Sequence, residues 1–169
     1  DQRLSRGLGD VYKRQSPHSP KEAIAAGVYM CPKDRASNAV VSEFDISNNL
    51  ALPFFKKHSR FSFLRAKSLS QNAKNSISEL GIVCQSEEDS VTTLSGGNQQ
   101  KVMVGRWLAE ESSVLLLDEP FQGVDIKARR DIGIQIRSTS SQRATLIFVA
   151  ELDEALEIAD RVIVLHEGN

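Results

Sequence analysis

Cysteine is scarce in this 169-residue chain. Cys31 and Cys84 stand far apart with no C-x-x-C pair, so the sequence writes neither a disulfide framework nor a cysteine metal site. Both read as free thiols of a reducing compartment. The three histidines, His18, His58 and His166, are scattered without metal-ligand spacing. Net charge is nearly absent: 21 Lys+Arg against 22 Asp+Glu leave −1, which gives no overall electrostatic case for nucleic acid or an anionic membrane as a partner. No apolar run approaches the ~20 residues needed to span a bilayer. A phosphate-cradling loop of the pattern G-x-x-x-x-G-K-[ST] occurs nowhere. No internal repeat or low-complexity segment is visible.

What is present is ordinary for a globular domain: 40% hydrophobic and 25% charged residues, enough for one domain with a core. The chain opens on Asp1 and closes after a turn-like Glu167-Gly168, and it reads as an internal fragment truncated at both ends. Residues 1–15, DQRLSRGLGDVYKRQ, hold four basic residues with no helical or strand period and no apolar h-region. They are expected to be a foreign leader, leaving 16–169 as a partial domain.

Taken in order, SPHSP at 16–20 is a loop, and KEAIAA at 21–26 is a helix closed by Gly27. VYMC at 28–31 is a short strand, followed by a polar turn, Lys33-Asp34-Arg35, at its carboxyl end. Asp45 or Ser47 can cap a short helix. A polar helical run holding Ile77 and Leu80 stops at Gly81. No β pattern appears from 44 to 81, so residues 44–93 are expected to be a mainly helical subdomain and connector. Five of the seven phenylalanines lie between 44 and 63. They form either a small core of their own or a docking surface for a partner helix. Residues 98–111 carry Val102, Met103, Val104, Trp107 and Leu108 on a wide apolar face, the mark of a largely buried helix. SVLLLD at 113–118 is apolar on both faces, as for a central parallel strand. Asp125 can cap a helix to about Ser138, with Ile132 and Ile136 inward. ATLIFV at 144–149 reads as a second buried strand, 152–159 as a short helix, and RVIVL at 161–165 as a third strand. Strands alternating with helices at this spacing predict an α/β fold with a parallel sheet flanked by helices.

The chemistry is concentrated in residues 94–125, LSGGNQQKVMVGRWLAEESSVLLLDEPFQGVD. Asp118-Glu119 closes an apolar strand, where two carboxylates are costly unless a cation meets them. Mg²⁺ on phosphate oxygens fits that need, with Asp118 orienting the metal, directly or through water, and Glu119 polarising an attacking water. A solvated acidic turn is the plainer reading of the pair alone. Ser95-Gly96-Gly97 precedes a helix, whose positive end suits an anion, and glycine lets phosphate approach the backbone. A simple turn and cap explains that turn alone equally well. Arg129-Arg130 reads as a solvated face, and Trp107 as core.

LSGGNQQ, LLLDEP and QGVD in that order resemble the ABC-type ATPase family. Residues 94–99 match its signature motif, 114–119 its Walker B strand, and 122–125 its D-loop. LSGGNQQKV, EPFQGVD and SPKEAIAAG…PKDR further resemble the second half of the double-length ATPase subunits of simple-sugar importers, the ribose, galactose and xylose group, over residues 19–168. The resemblance implies a P-loop NTPase-like fold, ATP and Mg²⁺ as cofactors, and two ATP-binding halves stacked head to tail in one polypeptide or a dimer. It implies Glu119 as the catalytic base, Asp118 as the Mg²⁺ residue, and Asp125 as the D-loop contact. Ser95, Gly96, Gly97 and Gln99 would then serve the partner half's ATP in trans. Implied partners are membrane permease subunits at the cytoplasmic face and, indirectly, an external sugar-binding protein, with no nucleic acid.

Three departures qualify the resemblance. The P-loop is missing. Lys33 stands at the Q-loop position, where a Gln or Glu can face metal and water and a Lys would repel the metal. Ala150 stands at the H-loop position, where the family's His meets the γ-phosphate. Both changes fall on this half's own nucleotide site, while Ser95, Gly96 and Gly97 are intact. The expectation is a main catalytic contribution in trans, with the chain alone inactive. The alternatives are a soluble ABC-type ATPase of DNA repair or translation, and a degenerate half that only regulates.

Overall fold

The computed structural model describes residues 17–33, 40–61 and 63–166. The expected leader at 1–15, Asp34 and Arg35 of the polar turn, and Glu167-Gly168 lie outside the described residues. Ser19 accepts the Glu22 N–H and Pro20 opens α1 (Pro20–Ala25), a capped start with proline where its missing N–H costs nothing. Gly27, at φ 75°, turns the chain into β1 (Val28–Cys31). Asp45 accepts the Asn48 N–H at 2.7 Å and caps α2 (Ile46–Ala51). A 3₁₀ turn at Leu52–Phe54 leads to a two-residue hairpin of β2 (Ser59–Arg60) and β3 (Phe63–Leu64). Then follow α3 (Ala66–Leu80), a 3₁₀ turn at Val91–Thr93, α4 (Gly96–Leu108), β4 (Val114–Asp118), α5 (Ile126–Ser138), β5 (Ala144–Phe148) and α6 (Leu152–Ile158).

The sheet order is β1-β4-β5, parallel throughout, with Cys31 opposite Leu117 and Leu117 opposite Ile147. The α/β expectation and the central place of β4 therefore hold. One sheet face, carrying Tyr29, Cys31, Leu115 and Leu117, packs with Met103 and Val104 of α4 and with Ile132 and Ile136 of α5 in the first core. A second core joins Ile46 and Leu50 of α2, Ala73 and Leu80 of α3, Ile82, Val91 and Leu94 to Val102 of α4. Helix α4 thus fills both cores, which explains its wide apolar face. Gly105 shows the tightness of that fit: a Cβ there would stand 2.5 Å from Leu80 Cδ1.

Several expectations are corrected. The region 44–81 is not free of β structure, because the hairpin falls inside it; two-residue strands leave no readable alternation. The phenylalanines form no core of their own. Phe54 enters the first core beside Tyr29 and Trp107, with ring centroids 5.2 and 6.0 Å away. Phe44 meets Phe55 edge-on at 6.4 Å, and Phe61 and Phe63 are exposed. β5 is not a buried strand: it is an edge of the sheet formed by the described residues, and Leu146 and Phe148 are about half exposed. With Met30, they mark the second sheet face as open. Residues 161–165 form no strand; their apolar side chains are exposed, and a run without a ladder partner leaves its backbone to water.

Two stability predictions follow from this packing. Gly105→Ala should overpack the α3–α4 contact and cost about 1–3 kcal/mol in urea unfolding. The Glu87 carboxyl accepts from the Ser70 hydroxyl at 2.5 Å and pairs with Lys74 at 3.2 Å. That hydroxyl, its own backbone N–H and Lys74 hold it down at about 2. A depressed acid contributes stability above its unfolded value that is lost as pH falls through the folded one. Acid unfolding between about pH 4.5 and 2 should therefore flatten in Glu87→Gln, measured by circular dichroism.

Candidate functional site

The parallel register puts the carboxyl ends of β1, β4 and β5 together, the end at which open α/β sheets meet ligands. Four of the candidate residues arrive there. Lys33 is exposed two residues past β1, Asp118-Glu119 end β4, and Ala150 is exposed two residues past β5. Asp118 lies opposite Phe148, on the face that also carries Met30, Leu116 and Leu146. The residue is partly buried, and its carboxylate takes no hydrogen bond or ion pair among the described residues. Glu119 donates its N–H to the Phe148 carbonyl at 2.9 Å, extending the β4–β5 ladder by one rung. Its φ is 49°, a left-handed conformation that is costly for a residue with a Cβ. Such strain persists only where surrounding contacts over-determine it and concentrates at functional sites.

Those contacts are visible. Pro120 is fully buried, and its carbonyl accepts the Gln100 Nε2 at 2.9 Å. Gln100 sits one turn into α4, so the loop after the acidic pair is fastened to the helix behind the glycine turn. Phe121 is buried in the first core. Gly123, at φ 66°, and Asp125 complete the turn; Asp125 accepts the Ala128 N–H at 2.7 Å and caps α5.

Ser95 is exposed and caps α4: its Oγ lies 3.4 Å from the Asn98 N–H and 3.1 Å from Asn98 Nδ2. Asn98 Oδ1 in turn accepts the Val83 N–H at 3.0 Å. Gly96 and Gly97 are partly exposed at the positive end of the 13-residue helix. A Cβ on Gly97 would touch the Ala128 Cβ at 3.4 Å. Gln99 only returns its Nε2 to the Leu94 carbonyl at 3.1 Å. Helices α4 and α5 run in the same direction, since Gly97 abuts Ala128 and Lys101 pairs with Asp131 at 2.7 Å. Their first turns, with Ser95 and Asp125, therefore lie side by side. The structure thus gathers the candidates into two groups: Lys33, Asp118, Glu119 and Ala150 at the strand ends, and Ser95, Gly96, Gly97 and Asp125 at two helix starts.

A donor set for a metal can be tested here. No group of three or more His, Cys, Asp or Glu among the described residues can hold an ion. Asp118 is nonetheless a partly buried acid without a partner among the described residues, and Mg²⁺ commonly takes only one or two carboxylates when substrate phosphates and water fill the remaining positions. The donor chemistry at Asp118 is compatible with a metal that comes with its nucleotide, and Asp118 is the residue that would hold it.

The family model described as ABC transporter matches residues 8–122. The chain belongs to the ABC transporter family. Similar curated proteins include the Arabinose import ATP-binding protein AraG of Rhizobium etli, 38% identical over 90% of this chain and 31% of that protein. The protein of the same name from Chromohalobacter salexigens is 40% identical over 89% and 31%, and that of Escherichia coli O6:H1 is 36% identical over 95% and 33%. The chain spans about a third of the length of these relatives. Among solved structures it superposes on the ATP-binding cassette MJ0796, described in a post-hydrolysis state bound to ADP and Pi, with TM-score 0.66 over 85% of this chain and 61% of that one. At 16% identity this likeness speaks for the fold: an ABC ATPase cassette.

Sequence reading missed the groups that hold the elements carrying these candidates in place. Gln100, Lys101 and Arg106 are buried polar residues of α4. Lys101 also donates to the Gly81 carbonyl at 3.0 Å. Arg106 donates to the Asn49 carbonyl at 2.6 Å and to Asn49 Oδ1 at 3.2 Å; burial lowers its guanidinium to about 10. Arg129 does not lie on a solvated face. It pairs with Asp153 at 3.1 Å, Glu157 at 3.2 Å and Glu154 at 3.9 Å, tying α5 to α6. Burial, opposed by Arg129 and assisted by the negative charge of Glu119, raises the Glu154 carboxyl. The acidic spacing 153, 154 and 157 on one short helix was the available signal for a cation opposite.

Gln100→Leu should leave the Pro120 carbonyl unsatisfied and lower stability by about 1–3 kcal/mol. Gln99→Leu should stay within about 0.5 kcal/mol, as for surface changes generally. Denaturant unfolding of the two variants compares them directly.

Proposed function

We propose that this chain is the ATP-binding segment of a carbohydrate importer's ATPase subunit, resembling the second half of a double-length subunit. It would work at the cytoplasmic face of the membrane against permease subunits, with an external sugar-binding protein acting through them. No helix among the described residues is long and apolar enough to cross a membrane. The observation that carries the reading is the separation of the candidates into two groups. At the strand ends, Lys33 and Ala150 flank Asp118-Glu119 and weaken the chain's own nucleotide site. At the helix starts, Ser95, Gly96 and Gly97 are intact and face out with Asp125, the arrangement needed to close on a nucleotide held by a second ATP-binding half.

In that arrangement Ser95 and the positive end of α4 bind the γ-phosphate in trans, and Asp125 contacts the facing half. Mg²⁺, when bound with the nucleotide, neutralises phosphate charge. Glu119 would orient water and take its proton, and Asp118 would hold the metal, directly or through water. Catalysis is then positioning plus charge stabilisation, as for phosphoryl transfer generally. Lys33 keeps a positive charge where other cassettes offer a metal-facing amide, and Ala150 has no group to reach a phosphate. The 169-residue chain alone, having no phosphate-cradling loop, should show no ATP turnover.

The test uses the longer protein. Glu119→Gln keeps the backbone strain at residue 119 and removes only the base, while Gly96→Asp places a carboxylate against the partner's phosphate. Gly96→Asp should lower ATPase turnover by about 10²-fold or more, and Glu119→Gln should lower it less. A Glu119→Gln protein without turnover beside an active Gly96→Asp protein would overturn the trans assignment.

A further inference from the structure

The net charge of −1 conceals a local asymmetry. From residue 46 to 78 there is no Asp or Glu, while Lys56, Lys57, Arg60, Arg65, Lys67 and Lys74 all fall there. Lys57 pairs with Glu110, and Lys74 with Glu87. Lys56, Arg65 and Lys67 are exposed and enter no ion pair among the described residues. In the middle of this acid-free stretch stands the β2–β3 hairpin, with Phe61 85%, Phe63 79% and Leu64 50% exposed. Its base is anchored. The Arg65 N–H donates to the His58 carbonyl at 2.7 Å, and the buried His58 ring has Nδ1 2.9 Å from the Ser68 hydroxyl of α3. Phe61 holds the turn at φ 48°, a position at which glycine or asparagine would sit without strain. A fixed hairpin therefore carries aromatic side chains at its tip and three uncompensated cations at and beside its base.

We propose that this hairpin is a membrane-surface anchor: Phe61 and Phe63 enter the headgroup–acyl boundary of an anionic phospholipid bilayer, and Lys56, Arg65 and Lys67 lie against its phosphates. Exposed aromatics ringed by cations are the chemistry of interfacial binding, in which apolar insertion and attraction to anionic lipid add. The charge is complementary to that surface and to no part of an apolar partner helix. Leu64 faces opposite to Phe63 on the narrow ribbon, and such a ribbon suits a soft, featureless partner rather than a groove-tracked strand of nucleic acid. The inference is independent of the ATPase reading. Its test uses no nucleotide, so either can fail without the other.

Flotation of the 169-residue chain with phosphatidylglycerol–phosphatidylcholine vesicles should show binding that weakens with salt and is absent from pure phosphatidylcholine vesicles. Lys56→Glu with Lys67→Glu, and separately Phe61→Gly with Phe63→Ser, should each weaken it at least about tenfold, with thermal melts unchanged because glycine accepts the turn's positive φ. As a check that needs no loss of binding, brominated anionic lipid should quench a Phe63→Trp protein more than the parent. No binding, equal binding to neutral vesicles, unquenched Phe63→Trp emission, or binding that survives either double variant (the basic residues at 1–15 then carrying it) would overturn the proposal. So would release from vesicles by competing single-stranded RNA.

Discussion

Three buried polar side chains on α4 fix where everything else sits. Apolar packing alone would let a helix slide or rotate at small cost, since hydrophobic attraction has no direction. A buried donor does not permit this, because leaving it without an acceptor costs about 1–3 kcal/mol, and more for a charge. Gln100 is committed to the loop after β4, Lys101 to α5 and the end of α3, and Arg106 to Asn49 on α2. Each acceptor belongs to a different part of the fold, so one position of α4 satisfies all three. The exposed first turn of α4, with Ser95, Gly96 and Gly97, inherits that position.

Arg106 shows how far the constraint reaches. Its acceptors are the neutral carbonyl and amide oxygen of Asn49. The same Asn49 receives the Val41 N–H and donates to the carbonyls of Val41, Phe44 and Asp45. One amide therefore ties the chain returning from the β1 end to α2 and, through Arg106, to α4. The second core closes around this junction from the other side with Ile46, Leu50 and Val102.

Much of this was legible from residue type and spacing. Asp45, Ser95 and Asp125 as caps, Gly27 and Gly81 as stops, and the helix inward positions Ile132 and Ile136 all follow from local rules, and the structure has them so. The failures share a cause. Residues 161–165 have the composition of a strand, yet a strand exists only with a neighbour, and composition does not name one. The same holds for β5, whose hydrophobicity predicts burial while its edge position denies it. Gln100, Lys101, Arg106 and Arg129 look like solvated polar residues in sequence. Their partners lie 20 or more residues away, so nothing in their own sequence neighbourhood marks them, and for Arg129 the signal sits on the acidic helix opposite.

The stretch from 94 to 125 is then one mechanical unit with two chemical ends. Its helix starts and its strand end belong to different groups of candidate residues, and the link between them is short. Glu119 is held in a left-handed backbone by the Phe148 carbonyl on one side and by the buried Pro120 on the other. The Pro120 carbonyl takes the Gln100 amide, and Gln100 lies one turn from Gly96. Lys101, next along the helix, holds α5 through Asp131, and α5 begins at Asp125. A shift of the Glu119 turn would have to break the Gln100 bond or move α4, and moving α4 would carry Asp125 with Ser95. The two groups cannot be displaced independently without leaving a buried polar group unpaired, and that cost is what joins them.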